Sequence, residues 1–210
     1  MVRKLIAGNW KMNGLRADLE TVRAVAAHVN PVENGPEALL CVPATLLSAA
    51  ADTAKGTRLA LGGQTCNKLE KGAFTGDISA VMLAEAGATY VIVGHSERRT
   101  GHCETDAEVA AQAAAALKSG LTPIICIGET LAEREAGATL KVIDSQLKGS
   151  LEGLDNAASF VLAYEPLWAI GTGKVATTAQ IEEVHAFIRA FLTTRYGAPG
   201  ASVRILYGGS

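Results

Sequence analysis

Glu165 follows an apolar run that ends in Tyr164 and precedes Pro166. Proline disfavours helical geometry at the residue before it, so this carboxylate rides on extended, pre-set backbone. Such a group can act as a general base; the plain alternative is a solvated acid at a strand end. His95 closes the run Tyr90-Val91-Ile92-Val93-Gly94 and leads into Ser96-Glu97-Arg98-Arg99. Its imidazole therefore emerges at a strand end, as an electrophile or as a hydrogen-bonded structural residue. Lys11 lies just past Asn9, the end of the first apolar run. One ammonium there can neutralise a phosphate or a developing enolate oxygen, or it can snorkel at the surface. His28, His102 and His185 have no comparable setting and read as surface residues.

The segment Pro166-Leu167-Trp168-Ala169-Ile170-Gly171-Thr172-Gly173-Lys174-Val175-Ala176 is too apolar in its middle for an ordinary exposed loop. Leu167, Trp168 and Ile170 are costly in water but useful over a bound small molecule, and Gly171 and Gly173 let backbone amides approach it. The segment reads equally well as a lid or as side chains packed permanently on a rim. Gly72-Ala73-Phe74-Thr75-Gly76-Asp77 is a second unusual loop, with an aromatic near its tip.

The elements that must position these groups are short apolar runs alternating with longer stretches of helical spacing, the pattern of a parallel α/β sheet buried on both faces. Strands are expected at Lys4 to Asn9, Ala38 to Val42, Arg58 to Gly62, Tyr90 to Val93, Thr122 to Ile127, Phe160 to Tyr164 and Val203 to Tyr207. Six helical segments lie between them. Thr105 with Glu108, and Thr177 with Gln180, have the spacing of helix-starting capping boxes, and Leu19, Val22, Ala26 and Val29 form an apolar stripe within Arg16 to Val29. No linker or internal repeat divides the chain, so residues 1–210 read as one domain. The first strand lacks the Gly-rich fingerprint of a dinucleotide-binding fold. Polar groups recur instead past many separate strands (Asn9 and Lys11, Gln64, His95 and Glu97, Glu129, Glu165, Gly208-Gly209-Ser210), as on the carboxyl-end face of a (β/α) barrel.

The 210 residues are 49% hydrophobic and 19% charged, enough for a sizeable core and too apolar for disorder. Nineteen basic against 21 acidic residues leave a net charge of −2, which offers no electrostatic footprint for nucleic acid or an anionic membrane. Cys41, Cys66, Cys103 and Cys126 show no CxxC pair and no zinc-like Cys/His spacing, and read as reduced thiols of a cytoplasmic protein. No stretch reads as a signal peptide or a membrane span.

The motifs GNWKMN, GAFTGDIS, GHSERR, CIGE, AYEPLWAIGTGK and YGGS, in this order, resemble those of the triosephosphate isomerases. The resemblance implies a TIM (β/α)8 barrel and an intramolecular oxidoreductase, an aldose–ketose isomerase acting between dihydroxyacetone phosphate and D-glyceraldehyde 3-phosphate through an enediol(ate), in glycolysis and gluconeogenesis. It implies Glu165 as general base, His95 as neutral electrophile and Lys11 as the cation at the substrate, with Asn9 orienting the triose. Gly171 and Ser210 would offer amides to its phosphate, with Ser96 and Glu97 in support. The segment from Pro166 to Ala176 becomes the lid, and Cys126 and Glu129 take structural places beneath the site. Phe74 and Thr75 become part of a loop that enters a neighbouring subunit of a homodimer, though a loop folded back on its own barrel fits the residues as well. The chemistry is proton transfer alone, so no metal or organic cofactor is expected.

The chain departs from the family in stopping at Ser210, right after the seventh expected strand, whereas a complete barrel has eight βα units. It is therefore expected to lack the eighth βα unit, to be part of a longer isomerase, and to expose its first and seventh strands at unpaired edges. Two rival readings follow from the same residues. One is a Schiff-base aldolase with Lys11 or Lys174 as nucleophile; the other is an inactive barrel fragment.

Overall fold

Strands form where the apolar runs are unbroken and helices where apolar residues recur every three or four positions. The computed structural model keeps to that division through residues 2–30, 35–156 and 160–209, which are the residues it describes. The strands are β1 (Leu5–Asn9), β2 (Glu37–Cys41), β3 (Leu59–Gly63), β4 (Tyr90–Val93), β5 (Thr122–Ile127), β6 (Val161–Tyr164) and β7 (Arg204–Tyr207). The helices are α1 (Leu19–Val29), α2 (Ala44–Ala54), α3 (Ala80–Glu85), α4 (Ser96–Gly101), α5 (Asp106–Lys118), α6 (Leu131–Glu135), α7 (Thr139–Ser150), α8 (Thr178–Tyr196) and α9 (Ala198–Ala201). Every strand ends within one residue of its expected limits. The six expected helical segments become nine helices among the described residues, because α4, α6 and α9 are short extra helices beside α5, α7 and α8. Such short helices carry no apolar period to reveal them.

The helix starts follow from hydrogen bonds that the sequence already implied. Thr105 N–H donates to Glu108 Oε2 at 2.9 Å and Glu108 N–H to Thr105 Oγ1 at 3.3 Å, starting α5. Thr177 and Gln180 do the same for α8 at 2.8 and 3.3 Å. The expected helix from Arg16 begins as a 3-10 turn, Arg16–Asp18, and α1 proper starts at Leu19.

The chain divides into two compact units, Met1–Val93 with Ala115–Pro123, and Gly94–Ala114 with Ile124–Ser210. In the first, β1 to β4 pair in parallel and in chain order, with Leu5 opposite Glu37, Ala38 opposite Leu59 and Gly62 opposite Tyr90. Val22, Leu39, Leu47 and Val91 are fully buried in its core. In the second, Ile124 pairs with Val161 and Val161 with Arg204, again in parallel. Ile125, Leu162, Ile143, Leu147, Ile188 and Leu192 form its core, each contributing about 1.5–3 kcal/mol by leaving water. Strand β6 is buried along its whole length, whereas β1 leaves Ile6 63% exposed and β7 leaves Tyr207 38% exposed.

His185 does not take its expected place at the surface. It follows Val184 on the core stripe of α8, stands edge-on to Tyr164 with ring centroids 6.1 Å apart, and buries Nε2 without a hydrogen-bond partner. Burial first, and the Arg189 cation second, hold its pKa below the ordinary histidine value. Cys41, Cys66 and Cys126 are buried free thiols and Cys103 an exposed one; burial pushes the Cys41 thiol up to about 12 and leaves it unreactive. No helix among the described residues is long and apolar enough to cross a membrane.

Candidate active site

Glu165 and His95 meet in the second unit. Glu165 continues β6 by one residue, its N–H donating to Ile127 O at 2.8 Å, and Pro166 keeps that backbone extended. Its carboxylate reaches His95, with Nε2 3.4 Å from Oε2. His95 follows β4 and caps the N-terminus of α4, its Nδ1 accepting the Glu97 N–H at 3.2 Å. Glu97's own carboxylate stands 3.6 Å from Nδ1, beyond hydrogen-bond reach. A ring nitrogen that accepts carries no proton, so the neutral imidazole has its proton on Nε2, the nitrogen facing Glu165. His95 is buried, 5% exposed, and an electron pair and a proton donor thus face each other in a largely buried recess.

Glycines make room for the Glu165 side chain and for its backbone. A Cβ on Gly208 would stand 2.8 Å from Glu165 Cγ and 2.9 Å from its Oε1, and one on Gly128 would strike Glu165 O at 1.9 Å. Gly208 N–H also donates to Tyr164 O at 2.9 Å, fixing the end of β7 beside the end of β6. Beneath His95, Arg99 donates to Gly94 O at 2.8 Å, Asp106 Oδ1 at 2.6 Å, Cys126 O at 3.1 Å and Ser150 Oγ at 2.9 Å. That guanidinium ties the residue before His95 to β5, α5 and α7. Arg99 and Gly128 are parts of the site that sequence reasoning does not single out; the motifs GHSERR and CIGE contain them, but their work is done across distances that local spacing does not encode.

The segment from Pro166 to Ala176 divides into an anchored base and an exposed tip. Trp168 and Ala169 are 9% and 1% exposed and pack with Ala176, Leu131 and Ile181. The indole N–H of Trp168 donates to Glu129 Oε1 at 2.9 Å, and Arg134 lies over its ring at 5.4 Å. Glu129, itself fully buried, also accepts from Arg134 Nη1 at 2.8 Å and from the Tyr164 hydroxyl at 3.1 Å. Burial foremost, with the Glu129 charge, drives the Tyr164 pKa up, so the phenol stays a donor. Gly171, Thr172, Gly173, Lys174 and Val175 are exposed, with left-handed backbone at Gly171 (φ 67°) and Gly173 (φ 74°). Trp168 is therefore held at the buried base of the segment, and Lys174 stands exposed near its tip.

In the first unit, Lys11 sits at φ 55°, a left-handed backbone that costs a non-glycine residue about 1–2 kcal/mol. It is pinned on both sides: Asn9 Oδ1 accepts its N–H at 2.9 Å, and Gln64 Nε2 donates to its carbonyl at 2.8 Å and to Cys41 O at 3.1 Å. Two strand-end amides thus set where the lysine leaves the backbone. Phe74 and Thr75 lie exposed on their loop, Phe74 at 48%. Ser210 lies outside the described residues. Among the described residues, no group of three or more His, Cys, Asp or Glu gathers to hold a metal.

The sequence profile of the triosephosphate isomerase family matches residues 4–210. The chain belongs to that family. A triosephosphate isomerase of Hyphomonas neptunium is 59% identical over 210 residues, which make up 100% of this chain and 84% of that protein. One from Dinoroseobacter shibae is 57% identical, over 100% of this chain and 85% of its own length. The crystal structure of triosephosphate isomerase from Bartonella henselae superposes with a TM-score of 0.92 at 50% identity, covering 100% of this chain and 84% of that one. The fold is accordingly the TIM (β/α)8 barrel without its eighth βα unit, and the protein is an isomerase of this family.

Proposed function

We propose that the chain interconverts dihydroxyacetone phosphate and D-glyceraldehyde 3-phosphate by moving a proton between adjacent carbons through an enediol(ate). The observation that carries this reading is His95 Nε2 standing 3.4 Å from the Glu165 carboxylate while its Nδ1 accepts the Glu97 N–H at 3.2 Å. Glu165 takes the proton from one carbon and returns it to the next, and as charge develops on the carbonyl oxygen, His95 gives and recovers its Nε2 proton between the two oxygens. This division between a glutamate base and a neutral histidine is the one already established for the family. A positioned base contributes about 10² to 10⁴ in rate, and electrostatic stabilisation of the enediolate supplies much of the rest.

Lys11 supplies the cation at the developing oxyanion and Asn9 orients the triose, with residues 1–210 acting as one domain. Gly171 and Ser210 offer backbone amides to the phosphate, so a protein of net charge −2 can hold a dianion. The lid from Pro166 to Ala176 excludes water and protects the intermediate. Ser96 and Glu97 support the pair from the start of α4. No metal or cofactor enters, since every step is a proton transfer. Phe74 and Thr75, exposed at a loop tip, pack into a second copy of the chain to form a homodimer, and the enzyme works in the cytoplasm in glycolysis and gluconeogenesis. The test is turnover of dihydroxyacetone phosphate by the chain beside a Glu165→Ala control: the wild type is expected to turn over and the control to lose about 10²-fold or more. An inactive wild type overturns the reading for this chain.

A further inference from the structure

We propose that Gln146 is a positioning residue for Glu165, acting through the peptide of Gly128; this rests on the reading of Glu165 as the base. Gln146 lies on the inward stripe of α7 with Thr139, Ile143, Leu147 and Ser150. Its Oε1 accepts the Gly128 N–H at 2.8 Å and its Nε2 donates to the Gly128 carbonyl at 3.0 Å. A primary amide is suited to this, since it presents an acceptor and a donor side by side. The neighbours of Gly128 carry the strand of the base: Ile127 O accepts the Glu165 N–H at 2.8 Å, and Glu129 O accepts the Leu167 N–H at 3.0 Å.

Successive residues of an extended chain turn to opposite sides. The Gly128 polar groups therefore face away from Glu165, and Gln146 supplies from a helix the pairing that a neighbouring strand supplies elsewhere in a sheet. A Cβ on Gly128 would strike Glu165 O at 1.9 Å, so the two segments are in direct backbone contact and a shift of one moves the other. The same bonds bracket Glu129, whose carboxylate holds Trp168 at the lid base. One side-chain amide thus sets both the base and Trp168.

The test compares Gln146→Leu and Gln146→Glu with the wild type, by hydrogen exchange at the Glu165 and Leu167 amides and by kcat and KM across pH. Gln146→Leu is expected to speed exchange at both amides by about tenfold or more, through the loss of two partly buried hydrogen bonds. It is expected to lower kcat by about tenfold or more with KM changed less than about threefold, because misplacing a reacting group by about 1 Å can cost 10²-fold. In Gln146→Glu the new carboxyl offers both a donor and an acceptor only when protonated, so the ratio of variant to wild-type kcat should rise as the pH falls. A residue that only holds the fold lowers the melting temperature without moving that ratio. Should Gln146→Leu fail to fold, the near-isosteric Gln146→Glu carries the test. Unchanged exchange at Glu165 and Leu167, or faster exchange with kcat within about twofold of wild type, overturns the proposal. A wild type without turnover overturns the function instead, and exchange alone then decides on Gln146.

Discussion

Glu129 and Glu165 are two carboxylates just past the ends of adjacent strands, β5 and β6, and they are built for opposite purposes. Glu129 is fully buried and surrounded by donors: the Arg134 guanidinium at 2.8 Å, the Trp168 indole at 2.9 Å and the Tyr164 hydroxyl at 3.1 Å. Glu165 instead faces a histidine nitrogen at 3.4 Å, its side chain against Gly208. Donors at hydrogen-bond distance stabilise an anion and fix it in place, which suits an anchor and would ruin a base. Glu165 is placed instead against a ring nitrogen that can exchange protons with a substrate.

That contrast is sharpest when the two residues are altered in turn. Glu165→Ala should cost about 10² to 10⁴ in kcat while leaving the fold intact by circular dichroism. Glu129→Gln should act mainly on stability, lowering unfolding free energy by about 3 kcal/mol in urea titration, because a partly buried Arg134 loses the nearer of its two counter-charges and keeps Glu183 at 3.6 Å. Gly208→Ala probes the space beside Glu165: its new Cβ, 2.8 Å from Glu165 Cγ, should displace the carboxylate and lower kcat by about tenfold or more with little loss of stability.

The smallest effect is expected at His185, which packs beside Tyr164 and so touches the anchor from below. Its pKa is lowered in the folded protein, so the unfolded chain takes up a proton first as the pH falls below about 6.5. Stability from this group is complete above that value and is lost as the pH falls toward the lowered pKa. His185→Phe keeps an aromatic ring against Tyr164 and should flatten that part of the slope in urea midpoints measured between pH 7 and pH 5. An equal slope in wild type and variant would assign the dependence to other groups.

What the sequence made legible follows the same division. The strands were readable to within a residue because continuous burial leaves continuous apolar runs, and Thr105 with Glu108 announced α5 through a contact three residues long. Glu165, His95 and Lys11 were visible as polar groups at strand ends. Their supports were not: Arg99 reaches Cys126 and Ser150, and Gln146 reaches Gly128, by contacts that exist only once the chain has folded. The place of His185 was misjudged because its neighbours in sequence say nothing of the Tyr164 ring that covers it.

Turning over D-glyceraldehyde 3-phosphate in deuterated water and following deuterium at the product carbon by proton NMR shows whether Glu165 moves a proton between carbons. A carboxyl that holds the transferred proton exchanges it with solvent, so the wild type should deliver deuterium to the new carbon–hydrogen bond and Glu165→Ala should deliver almost none. Equal deuterium incorporation by wild type and Glu165→Ala would contradict the assignment of Glu165 as the base.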